Sequence, residues 1–315
     1  MYTYHQVLLG KAVPNCSMLA DRPRALCDSV RTSVFRIFAR YESPNRVRTG
    51  TCFLASLSKV SSTEYDAYFM TSETVLDLVD DKGNHLDGIA IGRGTANSMP
   101  RNYRSCNKIS DAFDKIAFTA MYKASPCLVR CSVTTRDDPV LHAMLAESSV
   151  ILPGLPMNET FIGGMAYAGD VPAPKYDELF SPAGQPTALS GVMFDVDGIG
   201  SSHTCPTKRG MQGFPILSAA RGRYVCIHTG PLVVKGKAGS RFNMCVHSLN
   251  PGHVCVFFKF IYPTLSWRQQ SAVFDYVRAT YAIVQRQCPD YAPSASWLQG
   301  AYYFLSSALV RDPDL

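Results

Sequence analysis

The stretch that decides the fold is Thr207-Lys208-Arg209-Gly210-Met211-Gln212-Gly213-Phe214-Pro215-Ile216-Leu217, and Tyr224-Val225-Cys226-Ile227-His228-Thr229-Gly230 follows it closely. Two glycines bracket Met211 and Gln212, which is a pattern typical of a sharp turn between strands. The second run is dominated by residues that favour strands. The two runs therefore predict a β-rich core built around a glycine-bracketed loop.

The order Gly-x-(nucleophile)-Gly-x-Pro, followed by Ile-His-Thr-Gly, resembles the nucleophile loop of chymotrypsin/trypsin-like (PA clan) proteases, with a flavour similar to viral 3C-like and cytosolic trypsin-like members. The resemblance covers roughly residues 33–260. In these families a Ser or Cys occupies the position of Gln212, whose amide is neither nucleophilic nor ionisable in water. The resemblance thus implies a protease fold with a vestigial oxyanion loop, formed by Gly210, Met211, Gln212 and Gly213.

The other triad positions can be placed by the same resemblance. A strand running into Thr-Ala-x-His corresponds to Thr71-Ser72-Glu73-Thr74, so Thr74 occupies the histidine position. A threonine hydroxyl cannot accept a proton from a nucleophile as imidazole does. Asp114, in a strand that begins near Asp111, matches the third member, which only orients the imidazole. The resemblance implies a degenerate triad of Thr74, Asp114 and Gln212, hence no catalytic residue and no enzyme activity.

His228 resembles the specificity-pocket histidine of viral relatives that select Gln. Together with Thr229 and Phe214 it defines a candidate peptide cleft, in which the side chains of Gln212 and Phe214 are expected to add bulk. Two alternatives to a silent scaffold stay open at this point. One is an active serine- or cysteine-type endopeptidase with a displaced or engineered nucleophile, and the other is a peptide-binding module that uses the vestigial cleft.

Composition sets the remaining bounds. The chain has 315 residues, 46% of them hydrophobic and 18% charged, which suits a globular protein with two sub-domains. No apolar run is long enough for a membrane span, and the N-terminus lacks a secretory signal. Eleven scattered cysteines without a Cys-x-x-Cys pair predict free, buried thiols in a reducing compartment, with no metal and no cofactor.

The charge is unevenly placed. Residues 1–60 carry nine basic and three acidic side chains, and the difference of six equals the net charge of +6 of the whole chain. Arg22 and Arg24 in this segment are candidates for contact with an acidic protein surface. Nucleic acid is the weaker alternative, because no aromatic residues alternate with the basic ones.

The periodicities divide the chain into an N-terminal arm, a first barrel, a connection with a short helix capped before Pro139, a second barrel and a helical appendage. The boundaries are 1–32, 33–125, 126–148, 149–262 and 263–315. Runs 242–246 and 252–260 are expected as closing strands of the second barrel. Two C-terminal helices follow, with capping boxes predicted at Ser266 and Ser296. Trp297 and Phe304 fall off the apolar stripe of the second helix and are partner-binding candidates.

The sequence therefore predicts an all-β fold of two six-stranded antiparallel barrels with an N-terminal arm and two C-terminal α-helices. The predicted function is that of a non-catalytic subunit which binds other proteins of a larger intracellular assembly. The predicted location is cytoplasmic, with cytoskeletal or axonemal complexes as one host.

Overall fold

The structure is a computed structural model that describes residues 12–13, 26, 29–42, 47–94, 104–105, 113–117, 126–156, 162–167, 184–194, 200–218, 221–231 and 243–311. Its strands form two antiparallel sheets, and β1 (Ala12–Val13) joins the second of them. The first sheet contains β2 (Val34–Tyr41), β3 (Val47–Lys59), β4 (Glu64–Ser72), β5 (Leu86–Gly92), β6 (Arg104–Ser105), β7 (Phe113–Ala117) and β8 (Pro126–Thr134).

The order of the first sheet is β6-β5-β2-β3-β4-β8-β7. The second sheet has the order β1-β10-β9-β13-β14-β15-β12-β11. Its other strands are β9 (Ile162–Tyr167), β10 (Pro186–Gly191), β11 (Met193–Phe194), β12 (Gly200–His203), β13 (Pro215–Ser218), β14 (Tyr224–Pro231) and β15 (Asn243–His247). Without the two-residue strands β1, β6 and β11, each sheet has six strands. The predicted fold, two curled six-stranded antiparallel sheets of the trypsin-like type, is confirmed.

Strand β8 matters for the organisation because it pairs with β4 along nine residues. The first sheet therefore extends to Thr134, beyond the expected boundary at residue 125. After it, α1 (Pro139–Ala146) begins as the sequence indicates, since Asp138 accepts a hydrogen bond from Leu141 N–H and proline occupies the first turn.

Three apolar cores hold the molecule together. One fills the first barrel around Phe35, Phe69 and Ile89. Another fills the second barrel around Phe214 and Ile216. The third lies between the two barrels and the C-terminal helices, so it is built from strand and helix residues together, including Phe53, Tyr167, Tyr224, Phe257 and Tyr276. The helical appendage is thus part of the fold's main core.

The C-terminal helices are α2 (Pro251–Val256), α3 (Trp267–Ala272), α4 (Phe274–Gln287) and α5 (Ala295–Arg311), with a π-helical turn over Phe257–Ile261. The strand predicted over 252–260 is wrong, because α2 and the π-helical turn occupy this run. Asn250 caps α2 by accepting a hydrogen bond from Gly252 N–H, and Pro251 starts it. The strand predicted over 242–246 is confirmed, since β15 runs from Asn243 to His247.

The capping predictions divide. Ser266 and Gln269 form the expected capping box at the start of α3. Ser296 does not cap α5. Instead Ser294, which precedes the helix, accepts a hydrogen bond from Trp297 N–H at 3.2 Å.

The prediction that all cysteines are free is also wrong. Cys255 on α2 and Cys288 at the end of α4 form a disulfide across 33 positions, with their Cα atoms 6.1 Å apart. Among the described residues, six further cysteines are buried and form no disulfide: Cys52, Cys127, Cys131, Cys205, Cys226 and Cys245. Because disulfides persist mainly in oxidising compartments, the cysteine pattern no longer supports a reducing one.

A buried hydrogen-bond chain joins the second barrel to these helices. Tyr224 Oη on β14 lies 2.9 Å from His253 Nε2, and His253 Nδ1 lies 3.1 Å from Tyr276 Oη. Tyr276 O–H donates to the Ser248 carbonyl at 2.7 Å. Because the Tyr276 hydroxyl hydrogen is used in this bond, the Tyr276 oxygen accepts a hydrogen bond from His253 Nδ1–H. His253 Nε2 is then the acceptor of the bond from the Tyr224 hydroxyl. Burial lowers the pKa of His253 to about 3, consistent with this neutral tautomer.

Within the described ranges, no helix is both long and apolar enough to cross a membrane.

Candidate functional site

The loop that resembles a nucleophile loop is a sharp turn fixed by two glycines. Gly210 and Gly213 have φ angles of +89° and +92°, in the left-handed region that glycine tolerates. Met211 between them is fully buried, and its sulfur accepts a hydrogen bond from Lys208 N–H at 3.1 Å. The loop is therefore anchored by Met211 in the core of the second barrel, whereas Gln212 stays half-buried.

The backbone of Gln212 is tied to both barrels. Its carbonyl oxygen accepts a hydrogen bond from Thr51 N–H of β3 at 2.8 Å, while the next residue, Gly213, donates to the His228 carbonyl at 2.8 Å. A methyl group placed on Gly50 would lie 2.6 Å from the Val75 side chain and 3.1 Å from the Gln212 carbonyl oxygen. Position 212 therefore sits at the junction of the barrels, beside the turn that contains Thr74.

Thr74 lies in a short 3-10 turn, Glu73–Val75, at the end of β4. Its hydroxyl lies 2.9 Å from Ser72 Oγ and donates to the Thr229 carbonyl at 3.4 Å. Its own carbonyl accepts from Arg48 Nη1 at 2.6 Å, and the same nitrogen reaches Asp77 Oδ2 at 2.6 Å. The turn is thus held by hydrogen bonds and an ion pair, and the hydroxyl is engaged with the second barrel.

Two of the three predicted triad positions, Thr74 and Gln212, lie beside the same part of β14, because Gly213 N–H donates to the His228 carbonyl and the Thr74 hydroxyl donates to the Thr229 carbonyl. For Asp114 it describes the backbone only, which pairs with Arg130 in the β7–β8 ladder, so the position of its carboxylate lies outside the described part. Arg22 and Arg24 also lie outside the described residues.

Five histidines of the described ranges bear on whether an imidazole could act as a base for a serine or cysteine. In this part of the chain none of their rings hydrogen-bonds a serine or cysteine side chain. The five are His85, His142, His203, His228 and His253. Ser201 and Cys205, which flank His203 in sequence, are buried in the second barrel. The residues described also contain no group of three His, Cys, Asp or Glu side chains that could hold a metal ion.

A buried histidine pair lies behind the loop. His203 Nε2 on β12 and His228 Nδ1 on β14 are 3.1 Å apart. The His228 ring stacks on Phe214 with centroids 4.8 Å apart, and the His203 ring meets the same phenyl ring edge-on at 6.0 Å. Burial lowers the pKa of His228 to about 3, partly offset by a hydrogen bond to the Met244 backbone. Burial and the neighbouring His228 lower the pKa of His203. Both rings are therefore neutral at pH 7.

This pair corrects part of the predicted cleft. Phe214 is fully buried and belongs to the core of the second barrel, so its ring does not add bulk to an open cleft. His228 and Thr229 are buried as well, and their backbone carbonyls accept the hydrogen bonds from Gly213 N–H and the Thr74 hydroxyl. Sequence reasoning missed the pairing of His203 with His228, because the two lie 25 positions apart on strands that both flank β15.

The loop offers two backbone hydrogen-bond donors. Within the described part of the chain, the backbone N–H groups of Gly210 and Gln212 have no hydrogen-bond acceptor. Two such donors are what a developing oxyanion needs in an active relative. The side chain at position 212 is an amide.

Comparisons with known proteins give structural neighbours only. No family model matches the chain. No curated protein matches it either. A thermostable serine protease from an extremophilic microorganism is 9% identical, with 70% of this chain and 92% of that one covered and a TM-score of 0.46. Catalytically active tobacco etch virus protease complexed with product is 11% identical over 73% and 77%, with a TM-score of 0.44.

A Glu endopeptidase is 13% identical, with 69% of this chain and 85% of that one covered and a TM-score of 0.40. These values are too low to carry any argument about activity. The fold assignment rests on the strand order described above.

Proposed function

We propose that this chain is a non-catalytic trypsin-like pseudoprotease that acts as a structural or binding subunit of a larger assembly. One observation supports the proposal: Gln212 and Thr74, to which the resemblance assigns the nucleophile and base positions, flank the same segment His228-Thr229 and offer only an amide and a hydroxyl. An amide offers no nucleophile, and a hydroxyl that donates to the Thr229 carbonyl offers no base near neutral pH.

The retained parts of the site support a scaffold rather than chemistry. Gly213 fits between the barrels with no room for a methyl group, since a Cβ would overlap Thr71 Oγ1 and the Thr51 carbonyl oxygen. Packing alone therefore accounts for the glycine at position 213, whatever side chain stands at position 212. The same proposal includes a location inside the cell, with cytoskeletal or axonemal complexes as one host. The cysteines no longer support this location, because two of them form a disulfide.

A peptide-binding role is the second candidate, because the N–H groups of Gly210 and Gln212 could hold a substrate carbonyl without cutting it. Burial of the His228 side chain speaks against its predicted role as an anchor. A panel of fluorescent peptides separates the two: saturable binding to the wild-type chain would favour the peptide-binding module.

The catalytic claim is tested with the wild-type chain, Gln212→Cys, and Gln212→Cys combined with Thr74→His, each incubated with a proteome-derived peptide library. Mass spectrometry should find no new cleavage products for the wild type or for Gln212→Cys, because a thiol without a base has few thiolates at pH 7. Turnover by either of these two proteins would refute the pseudoprotease proposal. The double variant shows whether the remaining geometry can still support catalysis.

The scaffold role is tested by purifying the tagged full chain at native level. Other chains should co-purify in fixed stoichiometry and resist a salt wash. Recovery of the tagged chain alone would contradict the role as an assembly subunit.

A further inference from the structure

The strongest unexplained surface lies on the helical appendage. A groove of about 330 Å³ runs between α3, the start of α4 and the side of α5 that faces them. Its lining includes Trp267, Phe274, Trp297, Gly300 and Phe304, and the whole lining contains no charged residue. Trp267 and Phe304 meet edge to face at 5.2 Å to form one wall.

The surface around the groove is aromatic and exposed. The exposed fractions are 60% for Trp267, 36% for Trp297, 49% for Tyr302, 64% for Tyr303 and 53% for Phe304. Tyr302 is two positions from Phe304 and lies on the opposite side of α5; with 150–250 Å² for each aromatic side chain, the other four leave on the order of 400 Å² open to solvent. A symmetric pair of such surfaces would bury about 800 Å² from these side chains alone, a large part of the roughly 1,000 Å² that a specific protein–protein interface needs.

The absence of charged residues on α5 indicates which kind of partner can bind the groove. From Ala295 to Val310, α5 contains no Asp, Glu, Lys or Arg. A surface without charges offers no ion pair to an acidic or basic partner, so its best match is another charge-free surface. The same surface on a second copy meets this condition.

The shape of the surface is self-complementary. Gly300, Tyr303 and Phe304 are spaced i, i+3 and i+4 and therefore share one face of α5. A Cβ added at Gly300 would meet no atom within 4 Å, so the helix has a notch beside an aromatic ridge. A glycine inside a helix costs about 1 kcal/mol relative to alanine, and nothing within the described chain requires it here. Close approach of a second helix would explain it.

From these features we infer that α5 is a self-association interface, in which the aromatic ridge of one copy enters the notch and groove of another across a two-fold axis. An isologous contact needs both elements on one patch, and this patch has both. The inference rests on the proposed function in that it names the first partner of the assembly, but it does not require a silent catalytic corner.

The test measures sedimentation of the full chain from about 1 µM to about 1 mM, a range that covers weak and moderate affinities. The wild type should form a dimer. Tyr303→Arg should weaken it about 30-fold or more, as expected for an interfacial aromatic residue. Val60→Arg, at a side chain 59% exposed in the turn after β3, is the matched control and should leave the dimer intact.

A second variant guards against misfolding. Gly300→Leu should keep or raise the thermal midpoint of the monomer, because leucine favours helix, yet weaken the dimer by filling the notch. A monomeric wild type over the whole range would overturn the inference, as would a dimer that neither α5 variant weakens. A monomer that binds neutral lipid vesicles through α5 would overturn it too. Peptide cleavage by a dimer would refute the proposed function and leave the interface standing.

Discussion

Replacing Gly213 by alanine should destabilise the fold much more than the same replacement at Gly83. Both glycines have a positive φ, +92° and +84°, so both variants pay a similar backbone strain. They differ in their surroundings. A methyl group at 213 would overlap Thr71 Oγ1 and the Thr51 carbonyl oxygen and lie 3.0 Å from Ser72 N, whereas at Gly83 no atom lies within 4 Å.

The magnitudes follow from these contacts. Left-handed backbone costs alanine about 1–2 kcal/mol, and its stiffer unfolded chain returns about 0.4–1 kcal/mol, so Gly83→Ala should lose about 1 kcal/mol. At Gly213 an overpacking cost of about 1–3 kcal/mol is added. The hydrogen bond from Thr51 N–H to the Gln212 carbonyl is also disturbed, which adds about 1 kcal/mol. The expected total is about 3–5 kcal/mol.

Equilibrium unfolding in urea gives the free energy of each variant, provided the slopes against denaturant agree with that of the wild type. A difference of less than about 1 kcal/mol between the two variants would refute the close approach at Gly213. A large difference would show that this glycine is kept for packing. In that case the presence of Gly213 is not evidence for peptidase activity.

Two further predictions concern the appendage and the buried histidines. The folded pKa of His253, about 3, lies below the ordinary value near 6.5, so stability from this residue is present above pH 6.5 and is lost as the pH falls towards 3. His253→Gln should lower the slope of unfolding free energy between about pH 6 and 4 by about 1.4 kcal/mol per pH unit; an unchanged slope would contradict the buried neutral tautomer. Reduction of the Cys255–Cys288 disulfide, which closes 33 positions, should remove about 3–4 kcal/mol of stability, whereas a reductant should have no effect on Cys255→Ala; equal effects on both proteins would argue against the disulfide.

The strands that carry the fold were predictable because they are bounded by turn residues and rich in β-formers. The strand predicted to run into Thr71-Ser72 corresponds to β4, and the run that ends in Gly230 corresponds to β14. Run 252–260 failed because a short continuous apolar segment fits a buried helix as well as a strand. Asn250 and Pro251 form a helix start signal, which favours a helix over a strand for this run.

Other features had no sequence signal. Cys255 and Cys288 have no spacing that marks a pair, and the fold alone brings their Cα atoms within 6.1 Å. His203 and His228 likewise meet because their strands share a sheet, and Phe214 turned inward to cover them. Each depends on long-range pairing, which local patterns do not specify.

The candidate site shows how far a motif can reach. Glycine positions report backbone geometry: Gly210 and Gly213 predicted a sharp turn, and both have a positive φ. The state of a reacting group depends instead on neighbours distant in sequence: the Thr74 hydroxyl donates to a carbonyl 155 positions away. Chemistry therefore has to be argued from the side chains at positions 74 and 212. Because neither can lose or take up a proton near neutral pH, a retained turn and a silent site are compatible in one chain.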